Sequence, residues 1–285
     1  MKRTKLLKIV AVIMATVSGV GITAGKIIEG KSNEEHYYVE VMMPSADKTS
    51  MHEDKCVVTD YSNANQGYIM AKTTNEEHSR IKIRLEKDEK MYTYDLEDGE
   101  DYTVYPLNMG DGKYTIKVYE NLHDNEYELV SSHEIDVKLE NEFVPFLYPN
   151  QIVNYNGDTL CVQKAYELTK NDNTDAQKIQ HIYKWVVKNI KYDFTKAEQA
   201  KDKYMLPILD ETYKSKKGIC FDYAATTVAM FRSQGIPAKV ITGDTEEGYH
   251  AWIEVYSEGT WSRLDPTTDA QHQKNFEKYS QKLVY

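Results

Sequence analysis

Three side chains in the last third of this 285-residue sequence have the types and the order for nucleophilic catalysis: Cys220, His250 and Asp265. A cysteine thiolate attacks a carbonyl carbon, an imidazole transfers the proton, and a carboxylate orients the imidazole. Each setting is common by itself, and Asp265-Pro266-Thr267 alone would indicate a turn that ends a strand. Their combination predicts an acyl-transfer site.

Cys220 stands at the predicted start of a helix, after a glycine that lets the backbone turn. Free N–H groups and the helix dipole at such a terminus stabilise a thiolate relative to a thiol. Asp222 in the same turn opposes this effect by like-charge repulsion. A cationic partner is therefore needed, and we predict His250 in that role.

His250 belongs to a strand-like segment, Tyr249–Tyr256, in which Ala251, Ile253 and Val255 share one face. Because side chains alternate along a strand, His250 points to the opposite face. A histidine that merely fills the core would be expected on the apolar side. The pattern therefore favours a functional histidine.

Asp265 reaches His250 only in some registers of the hairpin between them. A turn at Ser257-Glu258 sets Asp265 directly across from His250, whereas symmetry about Glu258 pairs His250 with Pro266. The second register turns Asp265 to the other face. The sequence therefore predicts the first register or a bulge at the following glycine.

The segments around these residues resemble the transglutaminase-like superfamily. The matching text is Lys217-Gly-Ile-Cys-Phe-Asp-Tyr-Ala224, Ala229-Met-Phe-Arg-Ser-Gln-Gly-Ile-Pro237, His250-Ala-Trp-Ile-Glu-Val255 and Trp261-Ser-Arg-Leu-Asp-Pro-Thr267, with Trp185-Val-Val-Lys-Asn-Ile-Lys-Tyr-Asp193 upstream. The resemblance extends over about Thr174 to Thr268. It departs from the family at Thr226-Thr227, where larger apolar residues are usual.

By this resemblance Cys220 is the nucleophile, His250 the general base and acid, and Asp265 the residue that orients the imidazole. It implies an enzyme that acts on amide bonds of peptides or proteins through a thioester acyl-enzyme. Hydrolysis is slightly favoured over transamidation, because water is the default acceptor unless a site excludes it. Tyr192 and Trp252 are candidates for lining the substrate site. The Cys220 N–H is a candidate oxyanion donor.

Two other functions remain open at this point. The fold would serve as a catalytically inactive binding or scaffold module at the cell surface if a triad residue were missing, and none is. A zinc site built on Cys220 and His250 is disfavoured because the sequence offers no second close pair of ligands. No metal or cofactor is expected.

The elements that must position these residues form an α+β protein. Short alternating runs such as Ile81–Leu85 predict an antiparallel β-sandwich over residues 37–140. A linker over 141–155 follows, and then a transglutaminase-like, papain-like domain over 156–285. In that domain the resemblance implies that the nucleophilic cysteine opens a helix packed on an antiparallel sheet.

Helical periodicity in the second half predicts two helices. One runs from about Asp175 to Ile190 behind a Thr174–Gln177 capping box, and the other from about Cys220 to Ser233. An irregular stretch between them extends to Lys217. Three strands are predicted after the second helix: Ala238–Thr242, Tyr249–Tyr256 and Thr260–Leu264.

The first 25 residues predict a secretory signal peptide. Four cations precede an apolar run from Ile9 to Ala24: Lys2, Arg3, Lys5 and Lys8. The alternative is an uncleaved membrane anchor, because Ile27 and Ile28 lengthen the run. We therefore expect an extracellular or cell-surface protein with a peptide or protein substrate, from the cell wall or the extracellular space.

The composition excludes several other classes of protein. The net charge of −10 makes nucleic acid a poor partner. Three cysteines exclude a disulfide scaffold. Cys56 and Cys161 have the setting of buried apolar residues, and a bridge between them is left open. The scattered histidines of the first half indicate surface or turn positions: His52, His78, His123 and His133.

Overall fold

A computed structural model describes residues 24–27, 36–74, 80–97, 99 and 101–285. The predicted signal peptide falls outside this range except for its last two residues, Ala24 and Gly25, and His78 also lies outside it. Across the described ranges, no helix combines the length and the apolar character needed to cross a membrane.

The first half consists of short antiparallel strands. They are β1 (Ala24–Ile27), β2 (His36–Val39), β3 (Met51–Asp54), β4 (Val57–Asp60), β5 (Tyr68–Thr73), β6 (Ile81–Lys87), β7 (Lys90–Leu96), β8 (Thr103–Pro106), β9 (Gly112–His123) and β10 (Glu126–Val137). Two four-stranded sheets, β3-β4-β5-β8 and β10-β9-β6-β7, share one apolar core, and β1 pairs with β2. Ile81, Ile83 and Leu85 are buried as the alternation requires, so the β-sandwich is confirmed.

The second half is mixed. Its elements are α1 (Leu160–Thr169), α2 (Asp175–Asn189), β11 (Lys191–Tyr192), α3 (Phe194–Gln199), α4 (Leu209–Ser215), β12 (Lys217–Gly218), α5 (Cys220–Arg232), β13 (Ala238–Thr245), β14 (Gly248–Ser257), β15 (Thr260–Leu264), α6 (Pro266–Ala270) and β16 (Tyr279–Val284). The strands form an antiparallel sheet in the order β15-β14-β13-β16. Helix α5 is buried along its length and packs on β13 and β14. The predicted fold class, with Cys220 at a helix N-terminus on an antiparallel sheet, is confirmed.

The helix predictions hold where a local signal exists. Helix α2 begins behind the predicted capping box, because the Gln177 N–H donates to Thr174 Oγ1 and the Thr174 N–H donates to Gln177 Oε1. The prediction of an irregular stretch up to Lys217 was wrong. The stretch contains β11, α3 and α4, each seven residues or shorter, too short for periodicity to reveal.

The segment over 141–155, predicted to be a linker, is packed into the protein. It contains a short 3₁₀ turn, Val144–Phe146, whose three residues are buried. One apolar cluster continues from the β-sandwich through this segment to α5 and β14. The predicted domain boundaries stay predictions, since contact alone does not decide whether each half folds independently.

Two groups of side chains in the first half refine the sequence analysis. Cys56 and Cys161 are free and buried, so they form no bridge. His52 and His133 were predicted to be surface or turn residues, but they lie on β3 and β10 and their rings stack with centroids 4.0 Å apart. Burial, reinforced by His52, lowers the pKa of His133 to about 4.

Candidate functional site

Cys220 is the first residue of α5, and its thiol is half-exposed. The N–H groups of the first helical turn have no partner within the helix, so they are available to an anion at this position. Gly218 comes just before the helix because a Cβ there would lie 2.6 Å from the Cβ of Asp222. The sequence thus begins the helix at the thiol through a close approach that only glycine allows.

Asp222 does not oppose the thiolate in the way the sequence suggested. Its carboxylate is buried, accepts a hydrogen bond from the Ile219 N–H at 2.9 Å, and is paired with Lys196 Nζ at 2.8 Å. The lysine and the helix start therefore balance its charge. No sequence signal pointed to Lys196, which lies 26 residues away on α3.

The hairpin between β14 and β15 has neither of the two predicted registers. Glu258 and Gly259 form its two-residue turn with φ of +53° and +84°, and Ser257 pairs with Thr260. Positive φ at both turn residues gives the twist that hairpins favour. The prediction that Asp265 lies directly opposite His250 was therefore wrong. The true register is shifted by two residues, which preserves the face of every side chain.

Asp265 still reaches His250, as a diagonal neighbour just past the end of β15. Asp265 Oδ2 lies 2.7 Å from His250 Nε2. The other oxygen, Oδ1, accepts hydrogen bonds from the N–H groups of Thr267 and Thr268 at 3.1 and 3.2 Å. Asp265 is thus the N-cap of α6 as well as the partner of the imidazole. That cap fixes the carboxylate in a buried position, with 2% of the residue exposed.

His250 connects the buried carboxylate to the thiol. Burial acts to lower the pKa of His250, but hydrogen bonds to Asp265 and Cys220 and their negative charges raise it to about 9. With Nε2 bound to Asp265, Nδ1 is the nitrogen that remains for Cys220. Burial tends to raise the pKa of Asp265, yet the bond to His250 and the other donors hold it below its usual value.

Of the two predicted substrate contacts, only Tyr192 is placed beside the thiol. Tyr192 pairs with Gly218 through the parallel strands β11 and β12. Burial, followed by the charge of Cys220, raises the pKa of its phenol. Trp252 is 2% exposed and packs against His250 and Tyr279. It therefore has little surface for a substrate, and both substrate roles stay predictions.

Three aromatic residues around His250 were not predicted from the sequence. Tyr249 is 60% exposed, and burial and then the charge of Cys220 raise the pKa of its phenol. Phe276 packs edge-on against the His250 ring at 5.0 Å. Tyr279 donates a hydrogen bond to Asp265 Oδ2 at 2.9 Å. The position of Tyr249 next to His250 was the only available signal, since the other two come from the region after α6.

This arrangement suits acyl transfer. A half-exposed thiol lies at the start of a helix, next to an imidazole that is held in its protonated form by a buried carboxylate. Such a pair supplies both the nucleophile and the proton for the leaving group. Within the described part of the chain, no cluster of three or more His, Cys, Asp or Glu side chains has the geometry of a metal site.

Known proteins with similar sequences match part of the chain. The UPF0252 protein MJ1282 of Methanocaldococcus jannaschii is 34% identical over 114 residues, which are 35% of this chain and 31% of that protein. The kyphoscoliosis peptidase of Homo sapiens is 28% identical over 133 residues, which are 42% of this chain and 19% of that protein. The chain therefore spans less than a third of the length of either relative.

Similar solved structures were also found. A candidate cysteine protease from Cytophaga hutchinsonii overlaps 70% of this chain and 78% of its own, with 18% identity and a TM-score of 0.38. Red sea bream transglutaminase overlaps 70% of this chain and 47% of its own, with 12% identity and a TM-score of 0.28. Residues 162–266 match the family model of the transglutaminase-like superfamily. The matched segment holds Cys220, His250 and Asp265, and over it the chain is similar to the transglutaminase-like superfamily.

Proposed function

We propose that this protein is a thiol enzyme that cleaves amide bonds of peptides or proteins through a thioester on Cys220. One observation carries the proposal: a buried carboxylate, Asp265, hydrogen-bonds to His250, and the negative charge of the half-exposed Cys220 acts on the same imidazole. The name of the human relative, kyphoscoliosis peptidase, favours peptide bonds as the class of substrate.

In the proposed first half-reaction, the Cys220 thiolate attacks the amide carbonyl carbon. The negative charge moves to the carbonyl oxygen, for which the Cys220 N–H at the start of α5 is the candidate donor. His250 then gives its proton to the amide nitrogen as the carbon–nitrogen bond breaks. An amine leaves, and the acyl group remains on sulfur as a thioester.

In the second half-reaction, neutral His250 takes a proton from the acceptor. A water molecule attacks the thioester, releases a carboxylic acid and restores the thiolate–imidazolium pair. A primary amine in place of water would form a new amide, which is transamidation. We propose water as the favoured acceptor because Cys220 is half-exposed, and an open thioester meets water far more often than an amine.

We propose that the substrate lies outside the cell. This part of the proposal is supported by the sequence of the first 25 residues, with its cationic start and apolar run. Tyr192 and Tyr249 are the proposed walls of the substrate site, since the charge of Cys220 influences both phenols.

Alkylation by iodoacetamide across pH tests the reactive pair. Among the three free cysteines only Cys220 is half-exposed, and burial first raises the pKa of Cys161, to about 12. We expect rapid labelling of Cys220 below pH 7 that collapses in His250→Ala. Labelling that follows an ordinary thiol in both proteins would contradict the proposal and favour an inactive binding module. Turnover of glutamine-containing peptides with and without a primary amine then separates hydrolysis from transamidation.

A further inference from the structure

A hydrogen bond to the candidate active site comes from outside the family-matched segment. The match ends at residue 266, and Tyr279 begins β16, thirteen residues later. Its hydroxyl donates to Asp265 Oδ2 at 2.9 Å, the same oxygen that His250 Nε2 contacts at 2.7 Å. The imidazole and the phenol therefore compete for one oxygen of a buried carboxylate.

The fold holds the Tyr279 hydroxyl in this position from several sides. Strand β16 pairs with β13, and Gly243 on β13 allows the approach because a Cβ there would lie 2.0 Å from the Ser280 carbonyl oxygen. The ring packs edge-on against Trp252 at 4.9 Å and against Phe276 at 5.7 Å. The guanidinium of Arg263 covers it at 4.0 Å. The hydroxyl is thus positioned before any substrate arrives.

Donors occupy both oxygens of Asp265. Two backbone N–H groups of α6 bind Oδ1, while the imidazole and the phenol bind Oδ2. Other charged or titratable groups near this carboxylate are Tyr183 from α2 and Asp269 on α6, which hydrogen-bond to each other at 2.6 Å. Arg263 on β15 acts only through the Tyr279 ring, and Cys220 on α5 only through His250.

We propose that Tyr279 is a positioning residue that shares Asp265 Oδ2 with His250 and thereby limits how tightly the carboxylate holds the imidazolium proton. This inference rests on the proposed function of Cys220 and His250. A carboxylate that gives electron density to a second donor is a weaker acceptor for the first. Consistent with this, burial acts to raise the pKa of Asp265, and hydrogen bonds from His250, the α6 backbone and Tyr279 together lower it.

The direction of the effect follows from this competition. Removal of the Tyr279 hydroxyl leaves the whole of Oδ2 to His250, so Asp265 should hold the imidazolium proton more strongly. His250 would then stay protonated to a higher pH. It would be slower to become the neutral base that activates the acceptor, while the binding of substrate would be unaffected.

The test is Tyr279→Phe, which keeps the ring contacts and removes only the hydroxyl. In the full chain labelled with ¹⁵N-histidine, the midpoint at which the His250 ring nitrogens titrate should rise by about half a pH unit. Tyr155→Phe is the matched control, because its buried hydroxyl donates to the Leu147 carbonyl away from Asp265. The control should leave the His250 midpoint unchanged.

Turnover gives a second readout. In Tyr279→Phe the pH profile of kcat should move upward by the same half unit with KM unchanged. An unchanged or lowered His250 midpoint would overturn the inference. A raised midpoint in a protein whose Cys220 shows no enhanced alkylation would support the hydrogen-bond competition while contradicting the proposed function, so the two failures are distinguishable.

Discussion

At the first residue of α5 the half-exposed thiol of Cys220 lies beside His250, whereas at its last residue Arg232 is 1% exposed and donates to backbone carbonyls. The guanidinium donates to the carbonyls of Tyr148 at 2.8 Å and of Ala238 and Tyr285 at 2.9 Å. Both ends bury ionisable groups, yet in different chemical situations.

The difference lies in what each charge has for partners. Burial lowers the pKa of Arg232 to about 10, although the nearby Tyr155 acts to raise it. Its cation is stabilised by the negative end of the helix dipole and by hydrogen bonds from three of its five N–H groups to fixed carbonyls. At the other end, the imidazole of His250 is held by Asp265 on one side and faces a thiol that solvent can reach. A buried ion that is bonded to fixed backbone groups maintains the fold, whereas one that lies beside a thiol that solvent can reach is placed for chemistry.

Removal of the Cys220 thiol, at the start of α5, should abolish activity and leave the stability of the protein almost unchanged. We expect Cys220→Ala to reduce turnover of a peptide substrate by about 10⁴-fold or more, because no thioester can form. Its free energy of unfolding should change by less than about 1 kcal/mol, since the side chain is half-exposed. Chemical denaturation and steady-state turnover measure the two effects.

Cys161→Ala is the control for that substitution. The same change at a fully buried thiol should lower stability by about 1 kcal/mol and leave turnover per folded molecule intact. If both variants kept full turnover, the assignment of Cys220 as nucleophile would be wrong.

Replacement of the Arg232 guanidinium, at the end of α5, should lower stability and leave the reactivity of Cys220 unchanged. Arg232→Lys keeps the charge but cannot reach three carbonyls in one plane, so at least one of these three hydrogen bonds is lost. We expect the free energy of unfolding to fall by about 3 kcal/mol, with alkylation of Cys220 unchanged in the folded protein.

Arg80→Lys provides the comparison at an exposed arginine that also donates to a backbone carbonyl, that of Asp124. There water replaces the lost bond, so the change should stay within about 0.5 kcal/mol. Equal losses at both positions would mean that burial does not set the contribution of Arg232.

The two ends should also differ in their dependence on pH. Because the folded pKa of His250 is raised to about 9 from an ordinary 6.5, protonated His250 stabilises the native state. That stabilisation is fully present below pH 6.5 and is lost as the pH rises through 9. We expect the free energy of unfolding to fall by about 2 kcal/mol over this interval.

The same measurement on His250→Ala should show a much smaller fall between pH 6.5 and 9. Arg232 keeps its charge across most of that range, since its pKa is lowered only to about 10 by burial. A fall of equal size in both proteins would assign the effect to other groups and remove the stability argument for a thiolate–imidazolium pair.

The surroundings of Cys220 at the start of α5 were easier to predict from the sequence than those of Arg232 at its end, for a physical reason. The start of α5 and the face of β14 follow from local periodicity, which a single segment reveals. The hairpin register was wrong because Glu258 adopts positive φ, a conformation that few residues other than glycine take. The predicted pairing of His250 with Asp265 is still correct only because the register error was two residues, an even number, which keeps both side chains on the same face.

Contacts between distant segments left no such signal. Arg232 binds carbonyls 84 and 53 residues away, and every residue has a carbonyl, so nothing in the sequence marks its partners. Strand β16 is held by backbone pairing with β13 at the edge of the sheet, and its burial pattern lacks regular alternation. The position of Tyr279 in the site was therefore not predicted from the sequence.

The middle of α5 offers the test with the smallest expected effect, at the two threonines where the sequence departs from the transglutaminase-like pattern that it resembles. Both are fully buried. Thr227 Oγ1 donates to the Tyr223 carbonyl at 2.7 Å, whereas Thr226 Oγ1 has no hydrogen-bond partner among the described residues. Valine has nearly the same shape as threonine. Thr226→Val should therefore raise the free energy of unfolding by about 1 kcal/mol, because it removes an unpaired buried hydroxyl, and Thr227→Val should lower it by a similar amount. Denaturant titrations measure both changes. If the two changes in the free energy of unfolding have opposite signs, hydrogen bonding, rather than helix propensity or packing volume, decides the stability of the middle of this helix. Changes of the same sign would refute that account.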